Sequence, residues 1–163
     1  MSEMYKEQLV GRCKDKKDTA IKFIMVFATV LSFCILFFIQ FGIIIPIILI
    51  IVDLAVFRRM DIEFEYIYTN GDLDVDKIIH KEKRKRMLSV NVNDMEILAP
   101  LGAAELSNYK EGKVYDFTTH AEGANIYEMI VSKDGERKKI LFEPEKEIVE
   151  GIWMLAPRKT IRK

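Results

Sequence analysis

The stretch FIMVFATVLSFCILFFIQFGIIIPIILIIV, from Phe23 to Val52, decides the predicted fold, because none of its thirty residues is charged. Lys22 precedes this stretch and Asp53 follows it. A buried core helix has about 10 to 14 such residues, whereas a helix that crosses a bilayer needs about 20. We therefore expect the stretch to lie in a membrane.

The apolar stretch is too long for one comfortable helix. A single helix of this length would measure about 45 Å, against a hydrocarbon core of about 30 Å. A polar side chain and a glycine come together only at 40–42, and Pro46 follows where the first turn of a helix tolerates a missing N–H. We predict a transmembrane helical hairpin over residues 19–59, with spans at 19–39 and 43–59. One strongly tilted span is the alternative.

Lysines and arginines flank the apolar stretch on both sides, and the predicted hairpin tip carries none. Because these residues favour the cytoplasmic side, we predict a multi-pass cell-membrane protein with both termini in the cytoplasm. A single span would instead place the C-terminal part outside. The predicted anchors at the membrane interface are Lys16, Lys17, Lys22, Arg58 and Arg59.

The formal net charge of zero conceals an uneven distribution. Residues 1–59 carry eight Lys or Arg and five Asp or Glu, and the remainder carries seventeen and twenty. A positive membrane-proximal part suits an anionic inner leaflet. Cys13 lies in the polar N-terminal arm and Cys34 in the apolar stretch, so no disulfide framework is expected.

After Met60 the pattern changes from continuous apolar residues to alternation, which is typical of a half-buried β-strand. Apolar and acidic residues alternate from Asp61 to Tyr68. Asn70 and Gly71 then supply two residues that tolerate positive φ, as a type I′ hairpin turn requires. We predict an antiparallel hairpin whose second strand runs from Asp72 toward Ile79.

The rest of the chain predicts further short strands and one terminal helix. The strands are expected near 88–92, 95–98, 114–119, 125–132 and 136–142, with a loop at 101–112. Pro144 can occupy the first position of a helix, and Pro157 can end it. The apolar residues between them that fall at helical spacing are Ile148, Val149, Ile152, Trp153, Leu155 and Ala156.

The segment KEKRKR, from Lys81 to Arg86, is the one concentrated basic run. The functional interpretation takes Lys81, Lys83, Arg84, Lys85 and Arg86 as contacts for anionic headgroups or a protein partner. Each cation near an anionic bilayer contributes about 1 kcal/mol to binding. The structural alternative is a solvated hairpin in which these cations pair with Asp72, Asp74 and Asp76. Nucleic acid is not an expected partner, because no aromatic platform or recognition helix accompanies the run.

No pattern in the sequence indicates catalysis. His80 and His120 lack the spacing of a metal site, and no serine has the context of a nucleophile elbow. Strand alternation explains the pair Asp72 and Asp74 without acid–base chemistry, and no glycine-rich phosphate loop exists. We therefore expect neither an enzyme, nor a cofactor, nor a metal site.

Three stretches carry a resemblance to a known class of protein: FEYIYTNGDLD at 64–74, NDMEI at 93–97 and KILFEP at 139–144. Through them, residues 20–157 resemble small uncharacterised bacterial membrane proteins with a two-helix transmembrane hairpin followed by a pleckstrin-homology-like (PH-like) domain. The resemblance implies an α+β fold, in which the hairpin precedes an antiparallel β-barrel of about seven strands with a C-terminal amphipathic helix. It implies no activity, because one fold hosts many functions.

The predicted organisation has three parts: a polar N-terminal arm (1–18), a transmembrane hairpin (19–59) and a PH-like soluble domain (60–163). The function expected of it is that of a membrane-anchored, non-catalytic PH-like module. Such a module would bind a protein partner or the anionic surface of a lipid bilayer. The alternative is a structural or accessory subunit of a membrane protein assembly, contacted through the hairpin.

Overall fold

Two four-stranded sheets and three helices make up the computed structural model, which describes residues 4–13, 16–34, 42–133 and 135–162. Residues 35–41, which include the end of the first predicted span and the hairpin tip, lie outside these residues, as does Asp134. The elements in chain order are β1 (Tyr5–Gly11), α1 (Lys16–Ser32), α2 (Ile44–Met60), β2 (Ile62–Thr69), β3 (Asp72–Ile79), β4 (Lys83–Asn91), β5 (Met95–Pro100), β6 (Lys113–Asp116), β7 (Tyr127–Lys133), β8 (Glu136–Phe142) and α3 (Lys146–Leu155).

The first sheet has the order β1-β2-β3-β4, and all its neighbours are antiparallel. The predicted hairpin between β2 and β3 is confirmed, because Thr69 pairs with Asp72. Asn70 and Gly71 take φ values of 49° and 102° in the turn between them. The helices α1 and α2 are inserted between β1 and β2, which pair directly despite their separation in sequence.

The second sheet has the order β5-β7-β8-β6, in which β6 lies parallel to β8 and the other pairs are antiparallel. The strand predicted at 136–142 is confirmed as β8. The predicted loop before β6 contains a short 3-10 turn at Ala104–Asn108. Its Leu106 packs with Ile97, Ala99 and Ile130 in a small apolar cluster apart from the main core.

The main core contains residues of both sheets and of α3. The alternation in β2 places Tyr66 and Tyr68 in this core, and the Tyr66 ring meets Phe142 edge-on with centroids 5.6 Å apart. The terminal helix predicted from apolar spacing is confirmed as α3, which buries Ile148, Val149 and Ile152. Burying such side chains is the main favourable contribution to folding.

The predicted transmembrane hairpin is wrong. The helices α1 and α2 have 17 residues each. At 1.5 Å per residue they measure about 26 Å, short of a hydrocarbon core of about 30 Å. Across the described ranges, none of the three helices combines the length and the apolar character that a bilayer crossing needs. The prediction of a multi-pass cell-membrane protein with both termini in the cytoplasm is corrected with it.

The predicted closed barrel is also wrong, because the strands form two separate sheets. After β4 the chain passes through a 3-10 turn at Val92–Asp94, and β5 then pairs with β7 instead of with β4. The described strands number eight rather than about seven, since β1 adds one at the N-terminus. Residues 5–11 of the predicted polar arm thus belong to the first sheet, and only the boundaries after residues 18 and 59 stay a prediction.

Candidate functional site

A β-bulge in the hairpin of β3 and β4 determines which cations of the basic run face which side. Val75 pairs with Leu88, whereas the next residue, Asp76, pairs with Arg86, so Met87 is the extra residue. Because side chains alternate along a strand, one extra residue moves all those beyond it to the opposite face. The bulge therefore places Arg86 on the face that carries Asp76, away from the core residue Leu88.

The two arginines of the basic run bind carboxylates on this outer face of the first sheet. Arg84 Nη2 donates to Glu65 Oε1 at 2.7 Å. Arg86 Nε donates to Asp76 Oδ1 at 3.1 Å, and its Nη1 lies 2.9 Å from Asp74 Oδ2. Glu65 and Asp76 are buried, and charge-assisted bonds of this kind compensate buried carboxylates. Arg86 therefore fits the structural alternative raised from the sequence, whereas Arg84 binds Glu65, which that alternative did not include.

The lysines of the same hairpin are arranged differently. Lys85 pairs with Lys77 across the strands, and Lys83 pairs with Ile79, so these side chains share the face opposite to that of the arginines. Lys81 lies in the turn with a φ of 57°. Within the described part of the chain, no carboxylate forms an ion pair with any of these lysines. We call Lys77, Lys81, Lys83 and Lys85 the lysine cluster.

The lysine cluster lies at the end of the first sheet where α2 joins it. Ile62, the first residue of β2, pairs with Ile79, and the His80 N–H donates to the Asp61 carbonyl oxygen at 2.8 Å. Arg58 and Arg59, in the last turn of α2, precede this junction and are exposed. The structure thus brings two of the sequence-predicted interface cations to the same end as the lysine cluster.

The other predicted interface cations lie on α1. Lys17 is exposed, and Lys22 Nζ lies 5.5 Å from the centre of the Phe57 ring of α2. The side chain of Lys16 lies outside the described residues. Lys17, Lys22, Arg58, Arg59 and the lysine cluster make up the candidate surface, and no described contact assigns a ligand to it.

Both helices beside this surface expose large apolar side chains. Phe23, Ile24 and Ile51 are exposed to 73, 64 and 62%. The two helices contact each other through a buried polar pair, in which the Thr29 hydroxyl donates to Asp53 Oδ2 at 2.7 Å. Monomeric proteins rarely leave so large an apolar area uncovered, so this area indicates a contact surface.

Glu65 also interacts with Glu7 of β1. The Tyr5 hydroxyl donates to Glu7 Oε2 at 2.8 Å. Burial is the largest cause that raises the pKa of Glu65, and a hydrogen bond with Glu7 is the second. The same hydrogen bond and the one that Tyr5 donates both lower the pKa of Glu7. As the pH falls, Glu65 therefore takes up a proton before Glu7 does.

The two histidines do not form a metal site with other described residues. His80 and His120 each face a single carboxylate, Asp61 at 3.6 Å and Asp116 at 3.8 Å. The described residues contain no group of three or more His, Cys, Asp or Glu that could hold a metal ion. A cleft of about 660 Å³ beside α3 has both cationic and anionic residues, including Lys146, Glu150 and Arg162.

Sequence reasoning selected the basic run but could not tell which of its cations face the carboxylates. That choice depends on Met87, whose position as the extra residue cannot be seen in an alternating pattern. Glu65 was not selected at all. The only sequence signal for Glu65 was its position between apolar residues of one predicted strand, next to a second predicted strand rich in aspartate.

Comparison with known proteins adds one finding on the whole chain. The family model described as "Bacterial PH-like domain (DUF6106)" matches residues 2–162. No curated protein and no solved structure matches the chain. The family match confirms the PH-like part of the resemblance, and it covers α1 and α2 together with both sheets.

Proposed function

The chain belongs to the family of bacterial PH-like domains, and we propose that it binds the surface of an anionic lipid bilayer through the lysine cluster. PH-like domains are generally non-catalytic, which supports a binding module rather than an enzyme. The proposed contact lies on the bilayer surface and uses no spanning helix.

The observation that carries this proposal is the absence of carboxylate partners around the lysine cluster in the described structure. The arginines beside it are neutralised within the sheet, whereas four lysines keep their charge available. Each cation held near an anionic bilayer contributes about 1 kcal/mol to binding. Flexible lysine side chains also suit a diffuse layer of headgroups, because they need no fixed fork geometry.

The apolar side chains of α1 and α2 favour a lipid surface over an acidic protein as the partner. Phe23 and Ile51 belong to this exposed area, and the C-terminal end of α2 lies at the lysine cluster. A bilayer surface offers anionic headgroups and apolar chains side by side. Charged and apolar contacts can then form together.

Vesicle sedimentation of the full chain tests the proposal. The vesicles contain phosphatidylcholine and phosphatidylglycerol at about three to one, with pure phosphatidylcholine as the uncharged reference. The test variant carries Lys81→Gln, Lys83→Gln and Lys85→Gln. The control variant carries Lys110→Gln, Lys133→Gln and Lys138→Gln, which remove the same charge from other parts of the molecule.

We expect the test variant to bind the anionic vesicles about tenfold or more weakly than the natural chain. The control variant should stay within about twofold, because its lysines lie away from the contact. Equal losses in the two variants would show a general charge effect and contradict the proposed site. Unchanged binding in the test variant would exclude the lysine cluster.

A second candidate is a subunit of a protein assembly contacted through α1 and α2, which the exposed apolar side chains of both helices also favour. In that case Ile24→Ser and Ile51→Ser should release a co-purifying protein of defined stoichiometry, and the lysine variant should not. Release by the lysine variant alone would contradict this candidate.

A further inference from the structure

Glu65 lies on the face of β2 that points away from the core, and several charged groups surround it. It is 5% exposed, and Asp76 beside it on β3 is 3% exposed. The groups that interact with this pair come from the three other strands of the sheet. They are Tyr5 and Glu7 of β1, Asp74 of β3, and Arg84 and Arg86 of β4. Four carboxyl groups thus share two guanidinium groups.

Both oxygens of Glu65 depend on one donor nitrogen. Arg84 Nη2 donates to Oε1 at 2.7 Å and lies 2.6 Å from Oε2, which has no other hydrogen-bond partner among the described residues. A buried carboxylate with so few donors is unfavourable. A proton on Glu65 removes this deficit, because the acid can then donate to the carboxylate of Glu7. The raised pKa of Glu65 and the lowered pKa of Glu7 agree with this arrangement.

The charge of Glu65 acts directly on the basic hairpin. Arg84 lies on β4 between Lys83 and Lys85, whose side chains point to the other face. When Glu65 is ionised, its charge offsets that of Arg84. When Glu65 is protonated, the outer face of the sheet carries one negative charge fewer beside the lysine cluster.

We propose that protonation of Glu65 strengthens the binding of the lysine cluster to an anionic bilayer surface, so that the contact tightens as the pH falls. This inference rests on the proposed function, and it names the residue that regulates the same site. Glutamine at position 65 imitates the protonated acid, because its amide can donate to Glu7 while its oxygen accepts from Arg84.

The test compares Glu65→Gln with Glu63→Gln in the full chain. Glu63 lies on the same strand and face, and it forms no ion pair with a described residue. Sedimentation with the phosphatidylglycerol vesicles is measured from about pH 4 to about pH 8, and each variant's binding is divided by that of the natural chain at the same pH. The ratio cancels the titration of lipids and of other residues.

At about pH 7.5 we expect Glu65→Gln to bind about fivefold more tightly than the natural chain, since one charge near the surface has changed. The ratio of Glu65→Gln binding to natural-chain binding should fall toward one as the pH drops. The pH at the midpoint of this change should be higher than for Glu63→Gln. The regulatory role would be overturned if the ratio for Glu65→Gln did not change with pH, or if it followed the Glu63→Gln profile. The lysine contact would stay intact in both cases. If the natural chain binds no anionic vesicle at any pH, the proposed function fails and this inference fails with it.

Discussion

The side-chain amide of Gln8 donates from Nε2 to the backbone carbonyl oxygen of Glu143 at 2.8 Å. Its Oε1 accepts from the backbone N–H of Glu145 at 2.7 Å. Gln8 is 9% exposed, so β1 holds the junction between β8 and α3 from a buried position. One side chain thus satisfies the backbone on both sides of Pro144.

Gln8→Leu should therefore destabilise the fold. It leaves two backbone groups without partners, and each buried unsatisfied group costs about 1 to 3 kcal/mol. We expect the free energy of unfolding, measured in urea, to fall by about 2 to 4 kcal/mol. Leu9→Gln, at an exposed neighbouring position, is the control and should change it by less than about 0.5 kcal/mol. Similar losses in both variants would contradict the role of Gln8.

Gly151 lets α3 approach β2 and the N-terminal segment closely. A Cβ at this position would lie 2.6 Å from Tyr68 Cε1 and 2.7 Å from the Met4 side chain. We expect Gly151→Ala to lower the melting temperature and the stability by about 1 to 2 kcal/mol, because overpacking outweighs the better helix propensity of alanine. Gly11→Ala meets no atom within 4 Å and should be nearly neutral. A stabilised Gly151→Ala variant would show that the helix can move away.

The arginines and lysines of the hairpin should differ in their effect on stability. Arg84→Gln with Arg86→Gln leaves Glu65 and Asp76 buried without compensating charge, so we expect a loss of about 2 to 3 kcal/mol in urea unfolding. The triple lysine variant removes no internal ion pair and should change stability by less than about 0.5 kcal/mol. Equal effects would contradict the division of charges between the two faces.

The stability contribution of Glu65 should depend on pH with a defined sign. Burial raises its folded-state pKa above the ordinary value of 4.5, so the fold binds the proton more tightly than the unfolded chain does. Its contribution is therefore present below the unfolded pKa and is lost as the pH rises through the folded pKa. We expect the unfolding free energy of the natural chain, minus that of Glu65→Gln, to decrease over this interval in a series of urea titrations. An increase would mean that the ion pair with Arg84 dominates instead.

The local elements were largely predictable from the sequence. Asn70 and Gly71 allow only a few turn conformations, and the alternation around them fixes the faces of β2 and β3. In α3 the spacing of Ile148 and Ile152 identified the buried side. These features depend on residues that are close together in the chain, which is why a pattern could identify them.

Features that join distant residues were not predictable. β1 pairs with β2 across the whole of α1 and α2, and its buried Gln8 looks polar in the sequence. The length of the apolar stretch suggested two spans, whereas the described helices end at Ser32 and begin at Ile44. The bulge at Met87 interrupts the alternation, so residues 83–86 take the faces opposite to those that an unbroken strand pattern predicts.

Chemical labelling of lysines in the full chain tests the central claim most directly. The amine-reactive label is applied with and without vesicles that contain phosphatidylglycerol, and the modified positions are identified by mass spectrometry. We predict that the vesicles protect Lys81, Lys83 and Lys85, while labelling of Lys110 and Lys138 in the second half of the chain stays the same. Equal labelling of the lysine cluster with and without anionic vesicles would contradict the account.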